Sequence, residues 1–395
     1  MDTTPNVSFE NTEVAFQYKS DAAMRKANFI FSLVNHPWIS AFATGCVKLA
    51  LKVKLPVEGL IKTTVFDHFC GGESIEKTED VANLLARFGV KSILDYSVEG
   101  EKNEEGFDDA MDEIIRTIEK ARTSVNIPFS VFKTTGLAST DLLEKVQAKL
   151  HLDSNEAHAF ERVRQRVDQI CRKAHECKIP VLIDAEESWI QDTIDGLAYE
   201  MMGKYNKERA IVFNTYQLYR TESLKNLRNA FHTATMHNYF LGAKIVRGAY
   251  MEKERDRAEE LRYESPIYPD KESTDSAFNQ ALAFCIDNKQ RISVMCGSHN
   301  EYSNYFLTVL MEKHSMKSED ARVWFAQLYG MSDNISFSLA KAGYNVAKYL
   351  PYGPVRSVMP YLLRRAEENT SVAGQSSREL TLIQREIQRR KNQNP

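Results

Sequence analysis

The stretch YLLRRAEEN places Tyr361, Arg364, Arg365 and Glu368 three to four residues apart. At about 100° per residue the four side chains share roughly one third of a helix circumference. Adjacent arginines present two planar forks, a geometry that suits a small carboxylate and that a lysine reproduces poorly. The competing reading is a solvated face on which Arg364 and Glu368 form an i,i+4 pair contributing only about 0.3–0.5 kcal/mol. The aromatic turn YLPYG, carrying Tyr349, precedes this stretch and favours a pocket over an open surface.

Other chemistry-bearing residues close short apolar runs. Lys133 ends one, Asp184 and Glu186 another, Asn214 and Gln217 a third, and Arg247 and Tyr250 a fourth. Ser298, His299 and Asn300 end the next, followed by Gln327 and Tyr349. Taken singly, each is an ordinary loop-facing polar group, but their shared position is what a common pocket would produce. Lys133 has the chemistry for a Schiff base, with an ion pair to Asp184 as the plainer alternative. His299 lacks an acidic orienter in the sequence and is a weak general base on that ground. For Arg247 the plain alternative is a pair with Asp184 or Glu186.

The elements that would align these residues are eight strand-like runs, at 91–98, 128–135, 180–186, 210–217, 243–250, 292–299, 323–330 and 345–352. Each is followed by a segment long enough for a helix, which predicts a (β/α)8 barrel of the α/β class with its site at the strands' C-terminal ends. No GxGxxG follows any run, so a doubly wound nucleotide-binding sheet lacks its signature. Residues 1–90 read as a helical extension, with SIEKTEDVANLLARF stopped by Gly89. Residues 91–370 form the catalytic barrel, 136–179 a helical insertion within it, and 371–395 a basic tail.

With 395 residues, 43% hydrophobic and 27% charged, the chain has globular composition, and its net charge of −3 gives no general attraction to nucleic acid. Six dispersed cysteines predict reduced thiols rather than a disulfide framework. Cys171, His175 and Cys177 lack a second pair at a spacing that would complete a structural zinc site, so no metal is expected. The opening MDTTPNVSFENTEV is not an Arg-rich leader, and the most apolar stretch is broken by Asn35, His36, Pro37, Lys48 and Lys52. A cytoplasmic location is expected. The tail SRELTLIQREIQRRKNQNP has five basic and two acidic residues with an apolar face of Leu380, Leu382, Ile383 and Ile387, suited to a membrane surface or to packing on the protein.

In combination, LIDAEES, FNTYQLY, KIVRGAYMEKER, YLPYG and YLLRRAEEN, in this order, resemble the proline dehydrogenases over residues 90–370. The N-terminal helices and the 136–179 insertion are closer to the monofunctional eukaryotic type. The resemblance implies a distorted barrel that holds FAD noncovalently, oxidises L-proline to Δ1-pyrroline-5-carboxylate and passes electrons to a membrane quinone. Arg364 and Arg365 would bind the substrate carboxylate with Lys133 assisting, Tyr349 and Tyr361 would line the ring pocket, Asp184 and Tyr250 would shape the site, and Glu368 would anchor the arginines. Gln217, Lys244, Val246, Arg247, Gly248, Ala249 and His299 would contact the flavin, as would Asp184. Lys244 replaces an arginine common in bacterial members. A peripheral place on the inner membrane and a pyrroline-5-carboxylate dehydrogenase partner also follow from the resemblance. The alternatives are oxidation of trans-4-hydroxy-L-proline, against which Tyr349 stands as a bulky neighbour of the ring, and a lyase using Lys133.

Overall fold

The computed structural model describes residues 7–34, 58–97, 103–363 and 375–393. Eight parallel strands follow one another in chain order as a closed barrel. They are β1 (Val90–Tyr96), β2 (Phe129–Lys133), β3 (Val181–Asp184), β4 (Val212–Gln217), β5 (Leu241–Val246), β6 (Ile292–Gly297), β7 (Val323–Leu328) and β8 (Val346–Tyr352). All eight expected runs are strands, with ends displaced by a few residues. The polar ends of β3 and β5 fall outside the ladder because Glu186, Arg247 and Tyr250 belong to the loops that follow.

Packing separates the chain into two compact units, one holding Gly100–Ala326 and the other Asn6–Glu99 with Gln327–Pro395. Within the first, β4 is buried along its whole length, as a parallel strand covered on both faces requires. Side-chain caps start its helices: Asn103 accepts from Gly106 N–H, Asp270 from Ser273 N–H and Asn300 from Ser303 N–H. Asp153 and Glu156 form a reciprocal capping box. That box begins Ser154–Cys177, the longer of two helices between β2 and β3, where the sequence suggested an insertion. A second two-helix connection, Met251–Leu261 and Lys271–Asp287, joins β5 to β6 and was not resolved by periodicity.

In the second unit, β1 and β8 pair over seven positions, including Ile93 with Tyr349. The helices Thr12–Phe16, Asp21–Val34 and Gln375–Gln393 share an apolar cluster in which Phe16, Met24 and Phe31 meet Leu382 and Ile383. The apolar face of the C-terminal segment is thus taken up inside the protein. Beside it lies a buried charged group: Asp333 pairs with Lys348 and Lys19 at 2.8 Å each and accepts from Tyr18 Oη at 2.9 Å. Glu379 of the C-terminal helix joins it by accepting from Ser332 N–H at 3.0 Å. Among the described residues no helix is long and apolar enough to cross a membrane.

Candidate active site

Register decides which charges meet. Lys133, the last residue of β2, pairs with Asp184, the last of β3. Ile183 pairs with Asn214, and the next residue of β4, Thr215, pairs with Lys244 of β5. Neighbouring strands put paired residues on the same face, so this row brings two lysines to one carboxylate. Lys244 Nζ donates to Asp184 Oδ1 at 2.6 Å, and Lys133 Nζ lies 3.7 Å from Asp184 Oδ2. The side chains are only 8%, 19% and 14% exposed for Lys244, Lys133 and Asp184, so the pairs are little screened. One negative charge between two positive ones leaves a net cationic patch, which suits an anionic ligand.

Just beyond the strands, loop residues interlock. Buried Glu186 accepts from Thr135 N–H at 3.0 Å with one carboxyl oxygen and from the Thr135 hydroxyl with the other. Its main-chain N–H donates to Gln191 Oε1 at 2.8 Å, and its carbonyl accepts from Gln217 Nε2 at 2.7 Å. Gln217 Oε1 in turn accepts from Ala249 N–H at 3.4 Å. The ends of β2, β3, β4 and β5 are therefore tied together through Thr135, Glu186, Gln217 and Ala249. Burial pushes the Glu186 carboxyl up to about 7, with Glu187 acting in the same direction and the Thr135 bonds and Lys133 opposing it.

Arg247 follows β5 and pairs neither with Asp184 nor with Glu186. Its Nε donates to Asp275 at 2.7 Å, its two terminal nitrogens donate to Ser298 Oγ and Ser303 Oγ at 2.9 Å, and the guanidinium lies 4.3 Å from the Phe278 ring centre. Asp275 and Phe278 belong to Lys271–Asp287, a helix that periodicity did not separate, so the plain alternative of a pair with Asp184 or Glu186 does not hold and these contacts were not foreseen. Gly248 has φ 141°, and a Cβ there would fall 2.4 Å from the Tyr219 ring. Both facts demand glycine two residues after Val246, the last residue of β5. Tyr250 is half-buried at the start of Met251–Leu261, and half-buried His299 precedes the Asn300 cap.

In the second unit, Tyr349 is a buried residue of β8, and Tyr361 is buried in an apolar cluster with Phe66, Phe69, Met331 and Val358. A helix begins at Met359, in line with the expected one. Arg364, Arg365 and Glu368 lie outside the described residues. Sequence reasoning missed the structural weight of Glu186 and the buried group of Lys19, Asp333, Lys348 and Glu379. A lysine inside the otherwise apolar VAKYLPY was the available signal for the latter.

The sequence matches the family model described as proline dehydrogenase over residues 78–378. It is 35% identical over 333 residues to the carbapenem antibiotics biosynthesis protein CarD of Pectobacterium carotovorum subsp. carotovorum, covering 84% of this chain and 86% of that one. It is 34% identical over 377 residues to proline dehydrogenase 1, mitochondrial, of Arabidopsis thaliana, covering 85% of this chain and 76% of the relative. Among solved structures, proline utilization A from Bdellovibrio bacteriovorus inactivated by N-propargylglycine superposes with a TM-score of 0.71 at 19% identity. That match covers 92% of this chain and 37% of the larger one, and the likeness is one of fold.

Proposed function

The chain belongs to the proline dehydrogenase family, and from that premise we propose that it oxidises L-proline to Δ1-pyrroline-5-carboxylate with FAD as the bound acceptor and a quinone as the onward one. The observation that carries this reading is the Asp184 carboxylate held between Lys133 and Lys244 at the barrel's strand ends.

The donors here fit a flavin dinucleotide. The Gln217 amide, Lys244, Arg247, His299 and the main chain of Val246, Gly248 and Ala249 combine cationic and neutral donors, the set an acceptor-rich ring system and a pyrophosphate need. When bound, FAD supplies the two-electron acceptor, so the reaction requires no protein nucleophile. The protein's part is placement. In the roles the resemblance gives them, Lys133, Arg364 and Arg365 would take the substrate carboxylate, Tyr349 and Tyr361 would line the ring pocket, and Glu368 would anchor the arginines. Fixing one end of a small rigid amino acid sets the distance of its reacting carbon from the acceptor. Asp184 holds Lys244 and Lys133 in register, and Tyr250 shapes the site.

Lys133 as a Schiff-base nucleophile is the poorer reading. An ammonium beside a carboxylate is placed to bind charge, whereas imine formation needs a desolvated, neutral amine. The reading also carries a peripheral membrane contact near the quinone and a pyrroline-5-carboxylate dehydrogenase partner. Leu382 and Ile383 are buried in the protein, so the basic residues of the C-terminal helix would have to make such a contact. Purified protein should be yellow or become so with FAD, and L-proline should bleach it. A protein that FAD cannot reconstitute overturns the reading. Comparing kcat/KM for L-proline and trans-4-hydroxy-L-proline tests the substrate, and preference for the hydroxylated ring would replace L-proline.

A further inference from the structure

We propose that Glu186 is a positioning residue for substrate binding, acting through Thr135 to hold Lys133 in place. The proposal rests on the reading above, in which Lys133 contacts the substrate carboxylate. Lys133 closes β2 and leads directly into the Thr134–Gly136 turn. A long, flexible side chain at a strand end needs its backbone fixed if the ammonium is to meet a ligand in one geometry.

The side-chain anchor of this turn is the Glu186 carboxyl, which takes both the N–H and the hydroxyl of Thr135. Glu186 is itself fixed from both sides of its peptide, by Gln191 at its N–H and Gln217 at its carbonyl. Asp184, the counter-ion of Lys133, lies two residues before Glu186, just as Lys133 lies two residues before Thr135. The same two segments are thus joined twice, once by the charged pair on the strands and once by the Glu186–Thr135 bonds beyond it. Without the second link, the Lys133 ammonium keeps its charge but loses its fixed approach.

This carboxyl does not need to be ionised to do its work. As a carboxylate it accepts both Thr135 donors, and as an acid it accepts the N–H and donates to the hydroxyl, whose oxygen has free lone pairs. Lys133 faces it from β2, Glu187 from its own segment, and Lys253 pairs with Glu187 from the helix after β5. A glutamine at this position reproduces the neutral pattern, with its carbonyl toward the N–H and its amide toward the hydroxyl. Alanine removes both bonds.

The test is a double-mutant cycle on the flavin-loaded protein. Binding of tetrahydrofuran-2-carboxylate, in which a ring oxygen replaces the amine, is measured by calorimetry, and KM for L-proline alongside it. Glu186→Ala should raise Kd and KM at least about tenfold, with kcat changed less, the pattern of lost uniform binding. Glu186→Gln should restore both to near wild type, and Thr135→Val, which removes the hydroxyl bond but keeps the N–H bond, should give part of the alanine defect. In a Lys133→Ala background, Glu186→Ala should add nothing further. Equal effects in both backgrounds, or an alanine variant that binds normally, overturns the proposal. If Glu186→Ala fails to fold, Thr135→Val carries the same cycle, and a Lys133-independent effect there overturns it equally. A wild-type protein that neither binds this acid nor oxidises L-proline would instead sink the underlying functional reading.

Discussion

A single carboxylate between two ammonium groups makes Asp184 the most sensitive position in the described site. Replacing it with asparagine leaves Lys133 and Lys244 as neighbouring like charges with little solvent between them. The expected cost is on the order of 3 kcal/mol in denaturant unfolding, and adding Lys133→Met should recover part of it by removing one of the two charges. No recovery would mean the lysines do not share this counter-ion. Arg365→Met should weaken binding of the substrate carboxylate by about 2–5 kcal/mol, read as Kd for the non-oxidisable acid; an unchanged Kd would return RRAEE to an exposed surface. Asp184 and Lys133 were legible in the sequence because each closes an apolar run, whereas Lys244 lies inside its strand and entered only through the resemblance. The bonds of Glu186 were not, because its partner Thr135 lies 51 positions away and no local pattern encodes that contact.

Strands and helices were legible to the extent that their burial is periodic. The eight runs stood out because parallel strands need unbroken apolar stretches, whereas the two helices between β5 and β6 merged because MEKERDRAEELRYESPIYPDKEST is polar throughout its first half. The Gln375–Gln393 helix gives two tests. Leu382 is fully buried against the N-terminal helices, so Leu382→Ala should destabilise the protein by about 2–5 kcal/mol. Glu379 tests the charged group beside it. Burial next to Asp333 pushes its carboxyl up from 4.5 to about 7, with Lys19 and Lys348 opposing; Tyr18 and Tyr329 also line this group of charges around Asp333. The folded form therefore holds a proton that the unfolded chain has already released. Its contribution to stability is full below about pH 4.5 and is lost as pH rises through about 7. Glu379→Gln removes that dependence, so its melting temperature relative to wild type should climb by several degrees from pH 5 to pH 8. A constant difference would contradict the assignment.

Over the whole molecule, the eightfold alternation and the order of five motifs pointed to one barrel and one family, and the comparisons place the chain in that family. What the sequence could not provide is how the far ends of the chain meet. Lys19, Asp333, Lys348 and Glu379 come from four separate segments, and only the folded chain explains why charges sit where apolar residues would pack. The central claim is that this protein oxidises L-proline through bound FAD, and an anaerobic absorption titration tests it most directly. FAD-loaded protein should show a flavin band that L-proline bleaches in proportion to its addition, with Δ1-pyrroline-5-carboxylate appearing in equal amount. A flavin band that L-proline leaves unchanged, or a protein that takes up no FAD, would contradict it.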